Sequence, residues 1–181
     1  MKYIITEHQY KLLLEQDDIL RIPFAAFGND WDVLQRFLNR RGNPPYMIMD
    51  NLDLRRTDIE SLGNLTSVGG DLNLKHSEIE SLGNLTSVGG GLNLFNSGIE
   101  SLGNLTSVGG YLYLYESDIK SLGNLTSVGG SLNLFNSEIE SFGNLISVGV
   151  SLNLYSTPLS RKYPTEEEIR SMVEVGGDVY L

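Results

Sequence analysis

The sequence predicts an α/β repeat solenoid: a stack of coils around one parallel sheet of about seven short strands, with an α-helical N-terminal cap and a C-terminal cap of one short helix and a strand. Three observations predict it. A Leu-x-Leu pair recurs every 20 residues, at Leu52/Leu54, Leu72/Leu74, Leu92/Leu94, Leu112/Leu114, Leu132/Leu134 and Leu152/Leu154. A nearly constant Gly-Asn-Leu-Thr-Ser-Val-Gly-Gly run links the pairs. After a longer spacing of 27, the segment Val175 to Leu181 repeats the pattern of Val68 to Leu74. Self-similarity at a fixed short period marks units that bury their apolar face only by stacking on neighbours.

Residues 1–46 carry no repeat and read as the helical cap. Thr6-x-x-Gln9 is a capping-box signature, with Ile5 and Tyr10 placed to staple the turn and Tyr10, Leu13 and Leu14 forming an apolar face. A second helix is expected from about Asp30 to Arg41, with Trp31, Leu34, Phe37 and Leu38 on one side and Gly42 as its stop. Pro44-Pro45 marks the junction with the array, 47–157. The cap is needed because an uncovered first coil would leave its leucines in water.

Within one unit the apolar positions are Leu72, Leu74, Ile79, Leu82, Leu85 and Val88. Alternation at the first pair predicts a short half-buried strand, and the spacing of three that follows predicts an extended or 3-10-like wall. Gly69-Gly70 is expected to supply the free backbone angles of one corner, and Gly83-Asn84 those of the other, since Asn tolerates the left-handed region. The last segment, 158–181, is the C-terminal cap. Thr165 and Glu168 form a capping box at the head of its helix. The final strand, Val179 to Leu181, is an uncovered edge from which weak homo-association is expected.

The run Leu65-Thr66-Ser67-Val68-Gly69-Gly70-Asp71-Leu72-Asn73-Leu74, followed by Ser77, Ile79, Ser81 and Leu82, resembles the repeat of receptor L-domains, a branch of the leucine-rich-repeat class. The resemblance covers Ile48 to Tyr155. It implies a leucine-rich or β-helix-like coil stack and a binding role. Two departures stand against the general pattern: Gly69 replaces its first Leu, and Ser77 replaces the ladder Asn, which points to a flatter, rod-like stack. The helical leader and near-identical repeats also look like those of uncharacterised bacterial or bacteriophage proteins.

Composition narrows the function. Thirteen basic against 23 acidic residues oppose a role built on phosphate backbones or anionic lipid, so neither nucleic acid nor membrane is an expected partner. With no cysteine there are neither disulfides nor thiolate ligands, and the polar start together with the lack of a long apolar run predicts a cytoplasmic protein. His8 and His76 are the only histidines and form no triad or zinc pattern. The acidic column Glu60, Glu80, Glu100 and Glu140 reads as solvated charge, interrupted by Lys120 and without a calcium-loop motif. No catalytic, metal or cofactor site is expected. The Asn-Leu-Thr sequons at Asn64, Asn84, Asn104 and Asn124 read as corner residues.

Function is expected on the varied outward positions of the Leu-x-Leu strands. Phe95, Tyr115, Phe135 and Tyr155 fall in one column, about 4.8 Å apart per coil, widened by Tyr111 and Tyr113 and flanked by amides such as Asn93 and Asn133. Rigid aromatics beside amides have the composition of a protein-recognition surface, and equally of a ladder that holds adjacent strands together. The expected function is therefore a non-enzymatic module that binds a protein partner through this face. Self-assembly through the solenoid ends is the alternative. A minor one is an ice-binding hydroxyl array of Thr66, Thr86, Thr106, Thr126 and the adjacent Ser columns, broken at Ile146.

Overall fold

The computed structural model describes residues 19–181, so the expected capping box at Thr6 and Gln9, with Tyr10, Leu13 and Leu14, lies outside the described residues. In chain order the elements begin with β1 (Leu20–Ile22), α1 (Trp31–Asn39), β2 (Tyr46–Ile48), β3 (Leu52–Asp53), β4 (Leu65–Val68) and β5 (Leu72–Asn73). The middle coils give β6 (Ser87–Val88), β7 (Leu92–Asn93), β8 (Ser107–Val108), β9 (Leu112–Tyr113), β10 (Ser127–Val128) and β11 (Leu132–Asn133). The chain ends with β12 (Ser147–Val148), β13 (Leu152–Asn153), α2 (Pro158–Lys162), α3 (Glu166–Met172), β14 (Glu174–Val175) and β15 (Val179–Tyr180).

These strands make a parallel β-solenoid, as the repeat predicts, with two sheets where the residue pattern foresaw one. The leucine sheet stacks β3, β5, β7, β9, β11, β13 and β15, register Leu on Leu. The valine sheet stacks β1, β2, β4, β6, β8, β10, β12 and β14, register Ser on Ser and Val on Val. Its strands are mostly two residues long, too short for an alternation to be read. The core between the sheets is continuous: Leu72, Leu74, Ile79, Leu82, Leu85 and Val88 are all buried, and the same columns are buried in the neighbouring coils except at Ile59, which is half-buried.

Hydrogen bonds run in opposite senses on the two sides. In the leucine sheet each coil donates forward, Leu72 N–H to the Gly91 carbonyl and Leu74 N–H to Asn93. In the valine sheet each coil donates backward, Gly89 N–H to Val68 and Gly109 N–H to Val88, both at 2.8 Å. The Ser/Thr column closes its own coil, Ser77 Oγ donating to the Leu74 carbonyl at 2.7 Å and Ser137 Oγ to Leu134 at 2.7 Å.

Both corners work differently from the expectation. The Gly69-Gly70 pair and its equivalents avoid positive φ. Glycine is required there by close approach, because a Cβ at Gly89 or Gly109 would run into the carbonyl oxygen of the preceding coil's glycine. At the other corner Gly83 itself takes the left-handed conformation, φ 59°, and Asn84 instead bonds across coils, its amide donating to Asn64 Oδ1 at 2.9 Å. A further left-handed column was unforeseen: Arg56, His76, Asn96, Glu116, Asn136 and Ser156 all have φ between 48° and 62°.

At the N-terminal end α1 forms where the second helix was expected. Asp30 Oδ1 accepts from Val33 N–H at 3.0 Å, and Leu34 and Leu38 are buried. The segment read as wholly helical also contributes a 3-10 turn, Phe24–Phe27, the strand β1 and the first residue of β2. Tyr46 seals this junction. Fully buried, its hydroxyl takes a hydrogen bond from Gln35 Nε2 at 3.1 Å, and burial pushes its pKa up to about 12. Pro23 follows β1 at the position where every later coil supplies its backward donor, and it has no N–H to give.

At the C-terminal end the Thr165–Glu168 capping box is present in both directions. An additional helix, α2, starts where Thr157 of the Ser/Thr column turns to cap it, Oγ1 accepting from Ser160 N–H at 3.0 Å with Pro158 in the first turn. Arg170 of α3 reaches over the last valine strand. Its guanidinium donates to the carbonyls of Val175, at 2.6 Å, and Gly177. These occupy the places of Val148 and Val150 one coil earlier, where Gly176 N–H bonds the Val148 carbonyl, so Arg170 takes the place of such a donor at the Val175 carbonyl.

Candidate binding surface

With Leu112 and Leu114 buried, alternation along β9 turns Tyr111, Tyr113 and Tyr115 to the outside, and the same rule places Phe95, Phe135 and Tyr155 on the outer face of the leucine sheet. The asparagines fix the turn that aims each ring. Asn93 Oδ1 accepts from Phe95 N–H at 3.1 Å, Asn133 from Phe135 at 3.0 Å and Asn153 from Tyr155 at 3.0 Å. This is the local side-chain-to-backbone turn that Asn favours. Asn93 and Asn133, expected as contact residues, therefore commit Oδ1 within their own coil. Tyr113 replaces that Asn in its coil.

The expected aromatic residues fall into two groups. Phe95 and Tyr115 stack with centroids 4.0 Å apart and planes 15° from parallel, Tyr111 stacks on Tyr113 at 4.5 Å, and Tyr113 meets Tyr115 edge-on at 6.4 Å. Gly91 makes this cluster possible, because a Cβ there would collide with the Tyr111 ring. Phe135 and Tyr155 stand apart, 40% and 48% exposed, the second tilted against Tyr180 at 6.3 Å. Burial, reinforced by Asp71, raises the Tyr111 phenol above its ordinary range; burial, reinforced by Glu116, does the same for Tyr115. Tyr180 is raised chiefly by its hydrogen bond to Asp178.

Sequence reasoning missed the cationic end of this face. Lys75 Nζ lies 4.8 Å from the Phe95 centroid, and His76 packs edge-on against the same ring at 4.9 Å. With Arg55 and Arg56 they line a depression of about 350 Å³. The signal was available: position 75 shares a column with Phe95, and position 55 with both.

The opposite face is uniform. Each Thr hydroxyl holds the previous coil, Thr86 Oγ1 donating to the Thr66 carbonyl at 3.0 Å and Thr106 to Thr86 at 2.9 Å, while Ser67, Ser87, Ser107, Ser127 and Ser147 line a shallow groove of about 440 Å³ with the corner glycines. Ile146, 62% exposed, interrupts the Thr column. On the third side Glu60, Glu80, Glu100 and Glu140 are exposed, and among the described residues no group of three potential metal-ligating side chains converges. No helix among the described residues is long and apolar enough to cross a membrane. Comparison with protein-family models, with characterised proteins and with solved structures finds no match for this chain.

Proposed function

We propose that this protein is a non-enzymatic interaction module that binds a protein partner on the outer face of its leucine sheet. One observation carries the reading: the two sheets have the same period, but through the central coils the valine sheet repeats Thr and Ser outward with one break at Ile146, whereas the leucine sheet varies its outward columns and sets partly exposed rings in them. Rings whose turns are fixed by Asn93 and Asn133 lose little freedom on contact, the property that makes aromatics effective at interfaces. The kinship with receptor L-domain repeats, a bacterial or bacteriophage origin and a cytoplasmic location belong to the same proposal. The Leu-x-Leu strand and the Ser/Thr column support the first, and the absence of cysteine the last.

The test is capture of a partner by the wild-type chain and by a Phe95→Ser/Tyr115→Ser/Phe135→Ser variant, with thermal unfolding measured on both. Capture lost while the variant stays folded is the expected result. A lower unfolding temperature with capture intact would assign the rings to strand stacking alone.

The second reading, assembly through the solenoid ends, is favoured by β15. Its Val179 and Leu181 N–H groups occupy the forward-donating positions of Leu152 and Leu154 and meet no backbone acceptor among the described residues. Sedimentation of a chain ending at Asp178 tests it, with reduced self-association expected.

A further inference from the structure

The outer face of the leucine sheet changes character from one end to the other, and the change specifies the partner. At its N-terminal coils it is cationic, through Arg55, Arg56 and Lys75, which line one depression together with His76. Arg55 is paired with Asp53 at 2.9 Å, with both side chains largely exposed. Arg56 has no side-chain partner among the described residues, and Lys75 lies against the Phe95 ring and no carboxylate. The Asn96 side-chain amide lies 2.9 Å from His76 Nδ1, a hydrogen bond that ties up that ring nitrogen within the stack. Arg56 and His76 also hold left-handed conformations, φ 57° and 56°, at a column position filled by Asn at 96 and 136, a residue that adopts them more easily.

The rest of the molecule has the opposite charge. Residues 77–181 carry four basic against twelve acidic side chains. An anionic group is thus attracted to one end of the face and repelled from the remainder. Next along the stack come rings, Phe95 and Tyr115, and then the more exposed Phe135 and Tyr155.

We propose, resting on the interaction-module reading above, that the partner presents an extended segment whose acidic end enters the Arg55–Arg56–Lys75–His76 depression and whose apolar remainder crosses the strands towards Phe135 and Tyr155. Five coil steps of about 4.8 Å span about 24 Å, the length of about seven extended residues. A single-stranded nucleic acid would use the same cations but needs free ring faces for its bases. Phe95 and Tyr115 turn theirs to each other at 4.0 Å.

The probe is a synthetic heptapeptide of three glutamates followed by four apolar residues including one Phe. It is titrated into the isotopically labelled full chain at low salt and compared with its glutamine counterpart, a seven-nucleotide oligothymidylate and inorganic phosphate. The expected result is binding of the glutamate peptide with backbone shifts at positions 55, 56, 75, 76 and 95. Affinity should fall about tenfold for the glutamine peptide and for an Arg55→Ser/Arg56→Ser variant of unchanged unfolding temperature. Equal binding of both peptides, or none, overturns the proposal. So does oligothymidylate binding as tightly as the peptide, or phosphate producing the full set of shifts, which would leave a simple anion site. If the peptide fails while the Phe95→Ser/Tyr115→Ser/Phe135→Ser variant still loses partner capture, the acidic specificity falls and the interaction face stands.

Discussion

The valine and leucine sheets are built from the same chain with the same period, and they constrain their outer columns in opposite ways. In the valine sheet the outward residues take part in the coil-to-coil joint: Thr hydroxyls bond the preceding carbonyls, and corner glycines let backbone lie on backbone. In the leucine sheet the joint common to every coil is main chain, Leu N–H to the carbonyl of the next coil, and the side-chain bonds added to it differ from step to step: Asp71 Oδ1 accepts from Gly91 N–H at 2.6 Å, and Ser151 Oγ donates to Ser131 Oγ at 2.9 Å. One column there accepts Asp71, Gly91, Tyr111, Ser131 and Ser151. Near-identity of the letters on one side is thus a mechanical requirement, and variety on the other is free for recognition.

Substitutions test this contrast directly. The largest effect is expected at a valine-side corner. Gly109→Ala sets a methyl against the Gly89 carbonyl and should cost about 3 kcal/mol in denaturant unfolding, whereas Ser131→Ala on the leucine face gives up only the bond from the Ser151 hydroxyl and should cost about 1 kcal/mol. Equal losses would erase the distinction. Gly109 is the better position than the second glycine of the pair, because Val150 already occupies that column in one coil.

Next in size is the edge. Arg170→Ala leaves the Val175 and Gly177 carbonyls without their charged donor, worth about 2 kcal/mol, and exposes the end of the valine sheet. Sedimentation velocity should then show stronger concentration-dependent association than that of the wild-type chain. Combined with truncation at Asp178, it tells which sheet governs end-to-end contact.

Thr106→Val removes one hydroxyl bond to Thr86 without changing shape and should cost about 1 kcal/mol. The smallest expected effect is a gain. Glu116 sits in the left-handed column at φ 56°, so Glu116→Asn, the residue found at positions 96 and 136, should stabilise by about 0.5 kcal/mol in the same unfolding assay. A loss there would mean that Glu116 makes a contact that outweighs its backbone strain.

Much of this protein was legible in the order of its residues. The Leu-x-Leu spacing fixed the leucine strands and their outward columns, since strand alternation is a property of the local chain. The capping residues Asp30, Thr165 and Glu168 marked their helices because a cap is satisfied within three residues. Only the tertiary structure decided what depends on neighbouring coils. The valine sheet exists through register, Ser67 on Ser87, and no single coil's two-residue strand announces it. Glycine at the corner after each valine strand answers to the coil before it and not to its own dihedral angles. The division of the ring column into a stacked cluster and two exposed outliers, and the meeting of Lys75 and His76 with Phe95, arise because stacking brings side chains twenty residues apart into contact.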